Sequence, residues 1–352
     1  MKENGIMKEI YPFSPIKVLY WKDKIAEVIR GKIPTPVTVE IDPSNACSSN
    51  CIWCYYAKYR KNAEIMPIVT LQNLIYDVAG MGVKSITFTG GGEPLTHPKI
   101  SKAIDLAYDL GLKIGIITNG DGLTDNIAAD IGRKCRFIRI SVDAGTNDTH
   151  YKLKKPPHTN QLDMILERIE LVRKMSDLYQ NNIEIGASFL VHPRNFHEVG
   201  LFLSRVSELG IDYAQVKPCI GKGMEITDSQ KDVVDYEVNE FIRDHRLKVL
   251  YNNFRFDEIR GLRKFTVCYA HYLVGIIGAT GDTYLCCQYR GNKEWSYGNI
   301  NDKPFPQLWF SDEHRDLAKK IYVHECPPCR YSGYNTIIEH GVNEDMMHLD
   351  FL

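Results

Sequence analysis

Short β-rich runs alternate with longer helical patterns between residue 37 and residue 218. Six runs have the composition of strands, at 37–42, 85–90, 113–119, 137–143, 183–191 and 213–218. Helical patterns separate them near 71–81, 98–111, 123–132, 161–177 and 196–209. Because strands that alternate with helices form parallel βα units, this pattern predicts an α/β fold, a partial (β/α)6 TIM barrel. The functional groups of such a barrel lie at the carboxyl ends of its strands.

The alternation covers only part of the 352 residues. We expect five parts in chain order: an N-terminal arm (1–36), the barrel (37–228), a charged helical linker (229–265), a small C-terminal α+β domain (266–332) and a tail with no assigned element (333–352). Within the C-terminal domain, the stretch VGIIGATGDTYLCC predicts a β-hairpin with Gly-Asp at its turn.

The formal net charge is −1 at pH 7. This balance lacks the basic excess that marks proteins binding nucleic acid or anionic membranes. No apolar run reaches the roughly 20 residues that span a bilayer. The N-terminus MKENGIMKEIYPF also lacks the apolar core of a secretory signal. We therefore predict a cytoplasmic protein with neither nucleic-acid nor membrane partners.

The chain has ten cysteines, and their distribution is uneven. Three lie within eight residues, at Cys47, Cys51 and Cys54, and five lie in the last quarter. Disulfides are rare in a reducing cytoplasm, so metal or redox chemistry explains these groups better.

The first group, CSSNCIWC, has the spacing C-x3-C-x2-C and follows the first predicted strand directly. Thiolates are soft ligands, and closely spaced cysteines on a loop can hold an iron–sulfur cluster. Three ligands leave one iron open, and an open iron can chelate a substrate. From the spacing alone, a zinc site with a distant fourth ligand is an alternative.

A second motif, GGGEP at 90–94, ends the second predicted strand about forty residues later. Together the two motifs resemble the radical S-adenosylmethionine (SAM) superfamily, over roughly residues 37 to 220. The resemblance implies a [4Fe–4S] cluster on Cys47, Cys51 and Cys54, and SAM cleavage to a 5′-deoxyadenosyl radical that takes hydrogen from a substrate. It also implies SAM contacts from Trp53, Gly90, Gly91, Gly92, Glu93, Pro94, Thr118, Asn119, Ser141, Asp143 and Ser188.

Among these positions, Glu93 is suited to accept hydrogen bonds from the SAM ammonium. Ser141 and Asp143 lie on one face of the fourth strand's end, where the family binds the SAM ribose and carboxylate. Serine and aspartate at strand ends also commonly cap helices, so the specific signal is their ordered recurrence after successive strands.

The C-terminal cysteines read C-x12-G-x4-C, through Cys268, Gly281 and Cys286, and then CPPC at Cys326 and Cys329. This pattern resembles the twitch domain, a short form of the SPASM extension. It is particularly similar to that of the 2-deoxy-scyllo-inosamine dehydrogenases of butirosin biosynthesis. The resemblance implies a second [4Fe–4S] cluster on these four cysteines, with no open iron. Cys287 is an alternative to Cys286, and a structural zinc site is an alternative to the cluster.

Two further residues are candidates for catalysis. Cys219 follows the sixth strand on the side of the predicted active site, and it is either a packed small residue or a hydrogen-atom donor. Lys217, two residues earlier on the same face, either contacts substrate or is solvated. Cys135 precedes the fourth strand and is expected to be a buried structural thiol. Tyr289, Arg290 and Tyr297 are candidates for lining the substrate pocket.

A fully ligated second cluster can accept an electron from a substrate radical. The leading hypothesis is therefore a dehydrogenase of a small polyhydroxylated substrate, a sugar or aminocyclitol, with flavodoxin or ferredoxin as the reducing partner. The alternatives are an epimerase with Cys219 or Cys287 as hydrogen donor, and a peptide-modifying maturase. About 36 residues precede the barrel, which we expect to be too few for a leader-binding domain. A metal-binding protein without catalysis is a further alternative.

Overall fold

The computed structural model describes residues 14–57, 63–221, 223–251, 256 and 263–342. Ten strands in this part form one sheet in the spatial order β10-β9-β8-β1-β2-β3-β4-β5-β6-β7. They are β1 (Thr38–Ile41), β2 (Ser85–Phe88), β3 (Lys113–Thr118), β4 (Phe137–Ser141), β5 (Glu184–Val191), β6 (Tyr213–Pro218), β7 (Lys248–Tyr251), β8 (Val274–Ile277), β9 (Asp282–Tyr284) and β10 (Ser296–Asn299). Strands β1 to β7 are parallel, as the βα pattern predicts.

Eleven α-helices accompany the sheet within the described residues. They are α1 (Lys22–Ile29), α2 (Ile68–Gly80), α3 (Ile100–Asp109), α4 (Asp125–Lys134), α5 (Asn147–Lys154), α6 (Gln161–Tyr179), α7 (Val199–Ser207), α8 (Asp228–Asp244), α9 (Phe305–Trp309), α10 (Asp312–Ala318) and α11 (Ser332–Val342). The five helices predicted in the barrel are α2, α3, α4, α6 and α7. Thr124 caps α4, since its side chain accepts a hydrogen bond from the Ile127 N–H. No described helix has both the length and the apolar composition needed to cross a bilayer.

Apolar and polar side chains alternate along the strands, and this alternation separates the hydrophobic core from the interior of the barrel. In β4, Ile138 and Ile140 are fully buried in the main hydrophobic core. The residues that alternate with them, Arg139 and Ser141, line an interior cavity. Successive side chains of a strand point to opposite faces, so the apolar set packs on the helices and the polar set faces inward. This division supplies the polar residues of the site.

The predicted helical linker was partly wrong. Helix α8 ends at Asp244, and β7 then pairs in parallel with β6, so the barrel sheet continues beyond six strands. The run KVLY is only four residues long and follows a charged helix, which gave it a weak strand signal. The rest of the predicted linker falls largely on 252–255 and 257–262, outside the described residues.

The C-terminal hairpin is built onto the barrel sheet. Strands β8 and β9 are antiparallel as predicted, and the turn at 278–281 places Gly281 at φ +87°. Strand β8 also pairs in parallel with β1, in the register Val39 to Gly275. The sequence assigned no element to the tail, yet its first residues belong to α11. These pairings place the C-terminal cysteines beside the first strand of the barrel.

Candidate functional site

A cavity of about 450 Å³ lies inside the barrel at the carboxyl ends of the strands. Its wall brings together most of the predicted site residues: Cys47, Cys51, Trp53, Cys54, Gly90, Gly91, Gly92, Glu93, Thr118, Asn119, Ser141, Asp143, Lys217 and Cys219. Pro94 and Ser188 are buried but do not line this cavity. We call it the barrel cavity. All ten cysteines are described, and no two of them form a disulfide.

The three clustered cysteines lie on a loop that other elements hold by hydrogen bonds. The N–H of Asn50 donates to the Lys154 carbonyl at 2.9 Å, and the N–H of Ile52 donates to the Leu153 carbonyl at 3.0 Å. The C-terminal end of α5 therefore fixes the middle of the loop. At its start, the Asn119 amide nitrogen lies 3.9 Å from Cys47 Sγ and 3.0 Å from Ser48 Oγ.

The glycines of the GGGEP motif allow two loops to touch. A Cβ on Gly92 would lie 2.3 Å from the carbonyl oxygen of Ala46, and a Cβ on Gly90 would lie 2.9 Å from Cβ of Asp42. Gly90 also has φ +151°, a conformation that side chains disfavour. The motif thus packs against the chain just before the cluster loop, where the Glu93 N–H donates to the Ala46 carbonyl at 2.7 Å. Close approach to SAM, the predicted purpose of these glycines, remains a prediction.

The Glu93 carboxylate is buried and already accepts three hydrogen bonds. Oε1 accepts from Thr118 Oγ1 at 2.5 Å and from the Leu95 N–H at 3.1 Å, and Oε2 accepts from the Asn119 N–H at 2.7 Å. Burial outweighs these donors and raises the pKa of Glu93 to about 7. Because a carboxylate oxygen can accept two hydrogen bonds, Oε2 retains capacity for one more donor.

Asp143 is held by a buried lysine that the sequence analysis missed. Asp143 has φ +61°, its Oδ1 accepts from the Leu190 N–H at 2.9 Å, and its Oδ2 lies 3.5 Å from Lys154 Nζ. Burial opposes the charge on Lys154, but Asp143 and Cys51 keep its pKa above the usual value. Lys154 lies on the wall of the barrel cavity. In the run YKLKK it is indistinguishable from a solvated lysine.

A buried charged network joins β1 to the C-terminal residues. Glu40 pairs with Arg290 at 2.5 Å and with Arg330 at 2.9 Å, and it accepts a hydrogen bond from Tyr331 at 3.1 Å. Although burial favours the protonated form, the two arginines lower the pKa of Glu40 to about 2. Arg290 Nε also lies 3.1 Å from Asp42, which accepts from the Gly91 N–H. The network therefore links the GGGEP motif to the C-terminal cysteine region.

The four C-terminal cysteines of the predicted second cluster line one small cavity of about 40 Å³, the auxiliary cavity. They are Cys268, Cys286, Cys326 and Cys329. Cys287 is absent from its wall and packs in a hydrophobic cluster with Val18 and Ile338. This placement favours Cys286 over Cys287 as a ligand.

In the described part of the chain, no three His, Cys, Asp or Glu side chains are arranged to hold a single metal ion. A [4Fe–4S] cluster takes one thiolate on each iron, so its ligands lie farther apart than those of one ion. Four cysteine sulfurs line the auxiliary cavity and three lie on a loop at the barrel cavity, and thiolates are the donors that such clusters need.

The remaining candidates divide into those on the cavity wall and those away from it. Cys219 is 2% exposed, burial raises its pKa to about 12, and its Sγ lies 3.6 Å from Met224 Sδ. Lys217 is half-buried, with Nζ 3.4 Å from Gln215 Oε1. Cys135 is buried in the main core, as predicted. Tyr289, Arg290 and Tyr297 do not line the barrel cavity, and their contribution to a substrate pocket stays a prediction.

Comparison with known proteins agrees with this site. Residues 41–184 match the radical SAM superfamily, and residues 268–330 match SPASM, an iron–sulfur cluster-binding domain. The AdoMet-dependent heme synthase of Methanosarcina barkeri is 24% identical, over 81% of this chain and 86% of that protein. Mycofactocin maturase MftC of Mycolicibacterium smegmatis is 20% identical, over 87% of this chain and 78% of that protein.

Among solved structures, Streptococcus suis SuiB bound to precursor peptide SuiA aligns with a TM-score of 0.66. The alignment covers 91% of this chain and 75% of that one at 15% identity, so it shows a shared fold. The chain thus combines a radical SAM domain with a SPASM domain. These two domains imply [4Fe–4S] clusters and SAM as cofactors.

Proposed function

We propose that this enzyme is a dehydrogenase that oxidises a carbinol carbon of a small polyhydroxylated substrate, such as a sugar or an aminocyclitol. One observation carries the proposal: Gln288, Cys329 and Tyr331 line both the barrel cavity and the auxiliary cavity. Only these shared residues would therefore separate a substrate in the barrel cavity from the auxiliary cavity. That proximity suits electron transfer from a substrate radical to a second cluster.

The proposal assigns the first cluster to Cys47, Cys51 and Cys54, and the second to Cys268, Cys286, Cys326 and Cys329. When bound, the first cluster and SAM supply the 5′-deoxyadenosyl radical, and the second cluster supplies a one-electron acceptor. The net change in the substrate would be the loss of one carbon-bound hydrogen atom, the hydroxyl proton and one electron, which converts the carbinol into a ketone.

The residues of the barrel wall prepare this reaction. The free acceptor site on Glu93 Oε2 is available to the ammonium of SAM. Lys154 keeps a positive charge beside Cys51 and orients Asp143. Lys217 lines the barrel cavity, where its ammonium would contact a hydroxyl or an anionic group of the substrate. The C-terminal residues close one side of the cavity and limit access of water to the radical.

An epimerase is the second candidate, because Cys219 lies on the wall of the barrel cavity. Its thiol could return a hydrogen atom to the opposite face of a substrate radical, and the external reductant with a proton would restore the thiol from the thiyl radical. That reaction would need no electron acceptor. A maturase acting on a peptide is a third candidate, since the similar proteins include a mycofactocin maturase and a structure bound to a precursor peptide. The specific similarity to 2-deoxy-scyllo-inosamine dehydrogenases remains a prediction.

Turnover in D2O distinguishes these reactions. The anaerobically reconstituted enzyme is incubated with SAM, a reductant and a panel of sugars, aminocyclitols and peptides, and the products are analysed by mass spectrometry. A dehydrogenase gives a product two mass units lighter, with no solvent deuterium fixed at carbon. An epimerase gives an isomer that carries one deuterium, and Cys219→Ala abolishes it, whereas Cys135→Ala, at a buried thiol outside both cavities, does not. Deuterated isomer without ketone would contradict the proposal.

A further inference from the structure

Asn335, on α11, faces the auxiliary cysteines from outside the matched SPASM segment. Its side chain is fully buried. Its amide nitrogen lies 3.9 Å from Cys268 Sγ and 3.8 Å from Cys329 Sγ. Hydrogen bonds to sulfur are longer than those to oxygen because sulfur is the larger atom, so both distances suit N–H to sulfur hydrogen bonds.

The orientation of this amide is determined by its other end. Asn335 Oδ1 accepts from the N–H groups of Tyr269 and Ala270, both at 2.9 Å. Only the amide oxygen can accept two backbone N–H donors, so the nitrogen must face the sulfurs. Both N–H donors follow Cys268 directly in sequence, and Asn335 therefore fixes the local backbone and the sulfur environment together.

We propose that Asn335 is a positioning residue that raises the reduction potential of the auxiliary cluster. The inference rests on the proposed four-cysteine ligand set. A reduced cluster carries one more negative charge than an oxidised one, so N–H donors to its thiolates stabilise the reduced state. One of the two sulfurs belongs to Cys329, which also lines the barrel cavity. The amide would therefore favour uptake of the substrate electron by the auxiliary cluster, and it would act through the cysteine ligand that lines both cavities.

The other contacts described here, those of Cys326 and of Glu339, do not involve Asn335. Cys326 Sγ lies 3.4 Å from Tyr289 Oη and 3.6 Å from the Tyr322 carbonyl, and neither contact involves Asn335. Glu339, one turn later on the same helix, binds the N–H and hydroxyl of Thr266 and contacts no cysteine sulfur. Glu339→Gln is therefore a matched control, because it weakens the attachment of α11 to the same backbone segment without changing donors to sulfur.

The test is an EPR-monitored redox titration of the intact, reconstituted enzyme and of its Asn335→Leu, Asn335→Asp and Glu339→Gln variants. Iron is counted first, and SAM is added to identify the signal of the first cluster. Leu removes both N–H donors. Asp removes them while keeping oxygen acceptors for the Tyr269 and Ala270 N–H groups. Because an ionised Asp would add negative charge beside the sulfurs and lower the potential by itself, Asn335→Leu isolates the loss of the N–H donors.

We expect the ratio of reduced to oxidised auxiliary cluster at a fixed potential to fall at least tenfold in both Asn335 variants, a shift of about 59 mV for one electron. Glu339→Gln should leave it unchanged. Full iron content with an unchanged potential in either Asn335 variant would overturn the inference and leave the ligand set intact. Loss of the auxiliary cluster in both variants would also overturn it, by making Asn335 a structural support. A wild-type protein with only one cluster would instead overturn the ligand set itself.

Discussion

Arg290 forms a buried ion pair with Glu40, although 250 residues separate them along the chain. Both side chains are almost completely buried, and Arg290 also pairs with Asp42. This contact joins the first strand of the barrel to the residues just after Cys286 and Cys287. The two cysteine regions are thus held together by charge as well as by the shared sheet.

Arg290→Met should destabilise the protein strongly, because it leaves Glu40 and Asp42 buried without this partner. Removing one member of a buried ion pair costs about 3–5 kcal/mol. The measurement is the free energy of unfolding from anaerobic denaturant titration. Arg315→Met is the control, since Arg315 pairs with Asp312 on the surface, where loss of a pair costs about 0–1 kcal/mol. Equal effects of the two substitutions would show that the buried network does not hold the C-terminal residues.

Cys51→Ala should abolish reductive cleavage of SAM, because Cys51 is one of three ligands proposed for the first cluster. The measurement is 5′-deoxyadenosine formation by anaerobic protein with dithionite. Cys135→Ala should retain activity, since Cys135 lies in the hydrophobic core. SAM cleavage that survives Cys51→Ala would refute the assignment of the first cluster.

Cys286→Ala should lose the auxiliary cluster, about four irons per chain, while Cys287→Ala should keep it. The reason is that Cys286 lines the auxiliary cavity and Cys287 does not. Iron and acid-labile sulfide analysis of the two variants decides between them. The reverse pattern would assign the ligand to Cys287.

The affinity for SAM should rise with pH between 6 and 8. The pKa of Glu93 is raised to about 7 by burial, so its ionised fraction increases from about a tenth at pH 6 to about nine tenths at pH 8. Only the carboxylate form offers its full acceptor capacity to the SAM ammonium, so we expect about a tenfold increase in affinity. Equilibrium dialysis at three pH values measures it.

Glu93→Gln should flatten this pH dependence. Glu184→Gln should not, because Glu184 also has a raised pKa but lies outside the barrel cavity. A pH dependence that persists in Glu93→Gln would remove Glu93 from the SAM site.

The raised pKa of Glu93 also affects the stability of the protein: the native state holds the Glu93 proton more tightly than the unfolded chain does. This group therefore lowers the free energy of unfolding as pH rises from about 4.5 to 7.

The fold was largely predictable because its signals are local. Strand composition and helix periodicity located the six strands and five helices of the barrel, and turn residues located the β8–β9 hairpin. Strand β7 was missed because four residues after a charged helix carry little periodicity. The parallel pairing of β8 with β1 was missed because it joins segments more than 230 residues apart.

Residues of the candidate site that belong to sequence motifs could be predicted, and the other residues could not. Cysteine spacing and the GGGEP motif identified most of the barrel wall. Lys154 and Asn335 were missed, since each resembles an ordinary surface residue until the fold buries it beside a cysteine. The ion pairs of Arg290 were not predicted, because its partner on β1 lies 250 residues away along the chain.

We propose that the chain holds two [4Fe–4S] clusters, one of them beside the substrate cavity. The most direct test is iron and acid-labile sulfide per chain in anaerobically purified protein, wild type beside a variant with Cys47, Cys51 and Cys54 all changed to Ala. We expect about eight irons in the wild type and about four in the variant. About four irons in the wild type, with zinc in place of the rest, would contradict the claim and remove the electron acceptor on which the proposed dehydrogenation depends.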